Sequence, residues 1–180
     1  MDGLRKDAAR NRARIVEAAG DLAARGEPLA FNTVARIAGV GVGTVYRHFT
    51  AIEELEEALV WERFDDLDRI LRDTGPAELE RVLTAHFTLL TEDALFEKVT
   101  ERPEPALEQT VTKRTALIGR LSELMGRARE HGDLRADIDA QGVLLLVCGL
   151  AHAARSAGVA ADSPEARILL RVAFDGLRVP

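Results

Sequence analysis

With 180 residues, 47% of them hydrophobic and 30% charged, the chain is expected to fold around a buried core and not to be disordered. The net charge of −6 hides an asymmetry: residues 1–50 hold eight Lys or Arg against five acids, a balance of +3 that leaves −9 for the rest. A basic first quarter on an acidic body suits a protein of which only one end approaches phosphates. Ala, Leu, Arg and Glu outweigh the β-branched residues, so the fold class expected is all-α. Cys148 is the single cysteine, which excludes an intrachain disulfide and fits a reducing, cytoplasmic setting. The start of the chain is polar and basic, unlike a signal peptide, and the longest apolar stretch, Val143 to Ala154, is too short to span a bilayer.

In chain order, Ile15, Ala18, Ala19, Leu22 and Ala23 recur at helical spacing and predict a first helix from about Asp7 to Ala24. A second helix is expected over Asn32 to Ala38, closed by Gly39, and a third over Val42 to His48. Thr50 and Glu53 have the spacing of a capping box, opening a fourth helix that buries Ile52, Leu55, Leu59 and Phe64 and runs to about Arg72. Beyond Pro76 a helix carries Leu79, Val82, Leu83, Phe87 and Leu90, and a weaker one covers Leu95 to Thr100. After the Arg102-Pro103-Glu104-Pro105 break, a long helix places Leu107, Val111, Ile118, Leu121, Met125 and Ala128 on one stripe and stops near His131-Gly132. The segment from about Ala140 to Ala157 is apolar nearly all round, and Ser163-Pro164-Glu165 opens a last helix through Leu177. A helix apolar on all sides must be covered on all sides, by a second subunit or as the centre of a monomer's core. About nine helices result. The expected division is a DNA-binding domain over 1–50 and a ligand-sensing and dimerisation domain over 51–180.

Residues Thr33 to Phe49 read as helix, tight turn, helix. Val34, Ile37 and Ala38 should pack the first helix inward, with Val45 and Phe49 facing inward on the second. Gly43 and Arg47 then point outward, flanked by Thr44, Tyr46 and His48, whose groups can donate to phosphate oxygens. Gly43 also permits close approach of backbone to another surface.

The stretch Gly39-Val40 followed by Gly43-Thr44-Val45-Tyr46-Arg47-His48-Phe49 resembles the recognition segment of the TetR family of repressors. The specific resemblance covers roughly residues 8–60, and Gly132-Asp133-Leu134-Arg135-Ala136-Asp137-Ile138 looks like the link before that family's dimerising helices. It implies that Thr44, Tyr46 and His48 hold the DNA backbone, while Val42, Gly43 and Arg47 meet base edges in the major groove. Asn32 and Thr33 match positions that touch DNA in some members, although Asn32 could equally cap its helix. Arg5 and Lys6 resemble a basic arm or are a solvated tail. Two departures stand out: Ile52 replaces a phosphate-holding Lys, and Gly41 replaces a Ser cap.

The resemblance further implies a homodimer through the last two helices, double-stranded operator DNA as partner, and a small-molecule effector that releases it. Trp61, Phe64, His86, Phe87, Leu90, Phe96, Leu121, Met125, Cys148 and His152 are the candidate lining of the effector cavity, which suits an apolar or aromatic molecule. Cys148 and His152, four apart, read as a packed thiol beside a satisfied histidine, so neither a metal nor a cofactor is expected. No phosphate-cradling loop or nucleophile elbow supports an enzyme. A helical ligand-binding dimer that has abandoned DNA is the alternative.

Overall fold

The computed structural model describes residues 2–179, with side chains from residue 6 onward. Its regular structure is nine α-helices among the described residues, and no strand occurs there. They are α1 Asp2–Ala24, α2 Phe31–Ala38, α3 Val42–His48, α4 Ile52–Arg72, α5 Leu79–Glu92, α6 Ala94–Glu101, α7 Glu108–Glu130, α8 Ala140–Ser156 and α9 Pro164–Leu177. A single 3₁₀ turn, Pro76–Glu78, leads into α5. The all-α expectation is met. The helix α1 starts several residues before the predicted Asp7; Lys6 is exposed on it, and the Arg5 side chain lies outside those described.

The chain divides into two units, 1–61 with 104–110, and 62–103 with 111–180. In the first, the α1 stripe of Ile15, Ala18, Ala19 and Leu22 meets Val34, Ala35 and Ala38 of α2, Val45, Phe49, and Leu55 and Ala58 of α4. The helix α2 ends in a Schellman turn: Gly39 takes φ 63°, its N–H donates to Arg36 O (3.3 Å), and the Val40 N–H donates to Ala35 O (3.0 Å). Arg14 Nη2 donates to the Gly39 carbonyl at 3.4 Å. The Arg12 guanidinium lies 5.2 Å from the ring centroids of both Phe49 and Trp61, joining α1 to the end of α3 and to α4.

Three local expectations need correction. Ile37 is 37% exposed and not core, because the inward stripe of α2 runs through Val34, Ala35 and Ala38, leaving position 37 on the shoulder. Asn32 does not cap α2: the cap position is Ala30, without a side-chain bond, and Asn32 lies exposed inside the first turn. Thr50 pairs with Glu54: its N–H donates to Glu54 Oε2 at 2.7 Å and its hydroxyl to Oε1 at 2.6 Å. The helix begins at Ile52, so the acid that reaches back is one place further along than the spacing rule supposes.

Glu57 is fully buried in this unit. Its carboxylate accepts the Ala106 N–H at 2.7 Å and the Leu107 N–H at 3.0 Å, immediately before α7. One turn on, Trp61 Nε1 donates to Thr110 Oγ1 at 2.9 Å. A buried carboxylate is tolerable only with such partners, and these N–H groups are ones that the start of a helix leaves unsatisfied.

In the second unit, α5 packs on α8 and α6, and α8 contacts α9. Val82, Leu83, Phe87 and Leu90 of α5 are buried, as are Val143, Val147, Ala151 and Ala154 of α8. The alanines let the helix backbones approach closely. Caps set the helix starts: Asp93 Oδ1 accepts from Leu95 N (3.0 Å) and Phe96 N (2.9 Å), Asp139 from Gly142 N (2.7 Å), and Ser163 from Ala166 N (3.1 Å). Leu145, Ile168 and Val172 stay 74%, 59% and 68% exposed. Among the described residues, no helix is long and apolar enough to cross a membrane.

Replacing Glu57 tests the importance of its two bonds. Glu57→Ala removes the acceptor of two backbone N–H groups and should lower unfolding free energy by about 1–3 kcal/mol in urea titrations, more than Glu57→Gln. A loss below about 0.5 kcal/mol would remove this carboxylate from any central role.

Candidate functional site

The helix α3 is held from within by Val45, fully buried, and by Phe49, whose N–H closes the helix end on Val45 O at 2.9 Å. Gly41 precedes α3 in extended conformation with no side-chain cap, as the Gly41 departure from a Ser cap implies. With Val45 turned inward, Val42 (39% exposed), Gly43, Tyr46 (56%) and Arg47 are turned out, while Thr44 and His48 sit half-buried on the shoulders. The Tyr46 ring stands edge-on to Phe31 of α2, with centroids 4.9 Å apart, which fixes its direction. Asn32 is exposed and Thr33 half-buried on α2.

Two features of this surface bear on what it can meet. Among the described residues, the side chains of Asn32, Thr44, Arg47 and His48 make no hydrogen bond or ion pair, so their polar groups are uncommitted. A Cβ built on Gly43 meets nothing within 4 Å. The fold itself therefore has no steric need of glycine there, although glycine in a helix costs about 1 kcal/mol relative to alanine.

The second unit holds a cavity of about 290 Å³, open on one side and lined from α4, α5, α6, α7 and α8. Of the predicted lining, Phe64, His86, Phe96, Leu121 and Cys148 meet there. Phe64 and Phe96 are tilted together at 5.1 Å, and the His86 ring stands edge-on to Phe96 at 6.3 Å, giving one aromatic wall. Phe87, Leu90 and Met125 are buried packing residues that do not line it. Trp61 belongs to the first unit, under Arg12 and bonded to Thr110. His152 is exposed, with Nδ1 3.1 Å from Glu101 Oε1 and 3.5 Å from Glu97 Oε1.

Burial lowers His86 to about 4, so near neutrality the imidazole is uncharged, offering one donor and one acceptor. Burial pushes the Cys148 thiol up, helped by the Glu101 and Glu97 carboxylates, and the group stays protonated. Sequence reasoning did not select Arg114, Thr100 or Gln141, the polar part of the lining. Arg114 lies on the same stripe as Leu117, Ile118 and Leu121, a signal that its charge obscured. Its Nη1 donates to Arg102 O at 2.8 Å and its Nη2 to Val99 O, which closes the last turn of α6. Val111, expected on the buried stripe, is 44% exposed.

Comparison with known proteins agrees with this architecture. The family model described as "Transcriptional regulator SbtR-like, C-terminal domain" matches residues 81–179. The chain is similar to a TetR transcription regulatory protein from Mycobacterium vanbaalenii, with 32% identity, 98% of this chain and 99% of that one covered, and a TM-score of 0.57. A TetR transcriptional regulator from Streptomyces coelicolor shares 26% identity over 93% of this chain and 98% of its own, with a TM-score of 0.54. The transcriptional regulator FadR from Bacillus subtilis, solved in complex with stearoyl-CoA, shares the fold at 18% identity over 93% of this chain and 100% of its own, with a TM-score of 0.65. No curated protein matches the chain. With the family model spanning more than half of the sequence and the mycobacterial regulator aligned almost end to end, the chain belongs to the TetR family of transcriptional regulators.

Proposed function

We propose that this regulator is a cytoplasmic repressor that binds a palindromic operator as a homodimer and is released by a small apolar or aromatic effector. The observation that carries the DNA reading is the outward face of α3: uncommitted polar groups around a glycine that the fold does not need. On this reading Thr44, Tyr46 and His48 hold phosphates, Val42, Gly43 and Arg47 meet base edges, and Asn32 and Thr33 flank them. Residues 1–50 carry DNA binding, and 51–180 carry sensing and dimerisation. The exposed Leu145, Leu146, Ile168 and Val172 support α8 and α9 as the face that a second copy covers. Two-fold pairing sets two α3 helices one DNA turn apart, about 34–36 Å.

A cavity of about 290 Å³ lies at the small end of ligand sites, and its lining is largely apolar with a neutral imidazole. A compact aromatic or aliphatic molecule with one hydrogen-bonding group suits it. Release requires only that this molecule favours a spacing of the α3 helices that DNA does not accept. Both α4 and α7 line the cavity in one stretch and belong to the first unit in another, which makes them the natural carriers of that preference.

Mobility shift with the DNA immediately upstream of the protein's own gene tests the repressor reading; absence of any sequence-specific shift at low salt, with the dimer intact, would sink it. Gly43→Ala should raise stability by about 0.5–1 kcal/mol yet weaken operator binding at least tenfold, because the new methyl fills space reserved for DNA. Unchanged binding would mean that Gly43 faces solvent only.

Tyr46→Ala should weaken binding to all sequences alike, whereas Arg47→Ala should also relax base preference at one position of each half-site. Equal losses on specific and random DNA for both variants would overturn that division of roles.

For His86, the folded value of about 4 lies below the ordinary 6.5. As pH falls below the ordinary value, the unfolded chain takes up a proton that the folded chain refuses, and stability is lost until the folded value is reached. The loss amounts to roughly 3 kcal/mol, and His86→Phe should remove it from the pH dependence of urea unfolding. Identical acid profiles for the two proteins would show that the imidazole is not held neutral.

A further inference from the structure

On the surface of the second unit, α6 and α8 bring two carboxylates and an imidazole to one point. Glu97, Glu101 and His152 each present a ligand-type atom, and these atoms lie within 4.8 Å of one another; no other such group occurs among the described residues. Position 97 is one helical turn from 101, so both carboxylates leave the same face of α6, opposite the last turns of α8. His152 Nδ1 is 3.1 Å from Glu101 Oε1 and 3.5 Å from Glu97 Oε1.

The pairing is incomplete as it stands. The His152 Nδ1 faces both carboxylates and has at most one N–H, so it can satisfy one of these two acceptors. Glu97 is only 9% exposed, its Oε2 lies 2.5 Å from Arg155 Nε, and its Oε1 is buried with no hydrogen-bond partner. That oxygen points at the same spot as Glu101 and His152, so a buried acceptor is turned toward a second carboxylate with only the His152 Nδ1 between them. A cation at this point would meet all three groups at once.

We propose that Glu97, Glu101 and His152 form a binding site for a divalent transition-metal cation of the zinc type, which ties α6 to α8. Two carboxylate oxygens and one imidazole nitrogen make a mixed O,O,N set that zinc accepts in four-coordination with water completing the shell, whereas magnesium and calcium favour oxygen alone. The guanidinium of Arg155 beside Glu97 opposes a second positive charge, which weakens the site. The same two helices supply Thr100 and Cys148 to the cavity, so the bound cation would stiffen one wall of it. This inference does not depend on the repressor reading.

Zinc chloride titrated into the apo-protein by calorimetry, in a non-chelating buffer near pH 7.5, should give one saturable site per chain and raise the thermal midpoint. His152→Ala and Glu101→Gln, both at exposed positions and confirmed folded by circular dichroism, should each weaken binding at least tenfold. His131→Ala, an exposed histidine elsewhere, should leave it unchanged. Absence of saturable binding to the unmodified chain, or binding that survives both His152→Ala and Glu101→Gln, overturns the proposal.

Discussion

The buried carboxylate of Glu57 is the constraint on which much of this molecule depends. It holds the backbone just before α7 by two N–H groups, and Trp61 and Thr110 repeat the connection a turn further on. The bonds lie wholly within the first unit, yet both helices that they join continue into the second, where they line the cavity. A helix transmits displacement along its axis because its backbone bonds are stiff relative to side-chain packing. On the proposed reading, a ligand beside Leu117 or Leu121 acts on α7, a helix whose first turn is tied to α4 by hydrogen bonds and not by apolar contact alone. Arg12, lying over both Trp61 and Phe49, extends the same chain of contacts to the end of α3.

The helix α3 itself has seven residues, far below the length at which an isolated helix is stable in water. It persists because the Schellman turn at Gly39 fixes its entry and because Val45 and Phe49 fix its inner side. Stability therefore comes from two inward side chains and a turn, none of which belongs to the outward set. That separation is what allows Gly43, poor for a helix, to stand in its first turn without unfolding the unit. The Arg14 bond to the Gly39 carbonyl adds a polar tether at the same turn.

Legibility from sequence followed the physics of each element. The nine helices and the outward face of α3 could be read because period, turn glycines and caps are local signals. Ile37 was misjudged since a single turn of periodicity leaves the shoulder positions ambiguous, and the exposed side won by one residue's rotation. The cap at Thr50 was off by one residue because the helix starts at Ile52, and only the three-dimensional path decides which acid reaches back. The cavity was half legible. Aromatic and apolar residues on inward faces are candidates from pattern alone, but whether Phe87 or Phe96 meets the void depends on how helices distant in sequence pack. Glu57 gave no signal, since a glutamate in an acidic helix looks like solvated surface until the chain some fifty residues later is laid across it.

The nearly all-round apolarity of α8 is divided among different surroundings. One side, Val143, Val147, Ala151 and Ala154, is buried in the second unit, and another, Leu144, Leu145 and Cys148, faces the cavity. What stays exposed is Leu145 at 74% and Leu146 at 37%, together with Ile168 and Val172 on α9. Leu145 is both part of the cavity lining and 74% exposed, so the cavity and the surface proposed for a second copy share a residue. On the proposed reading, a side chain in that double position couples the two by excluded volume alone. Whatever covers Leu145 from outside also restricts how far it can yield to a molecule inside, and no polar network is required for the effect.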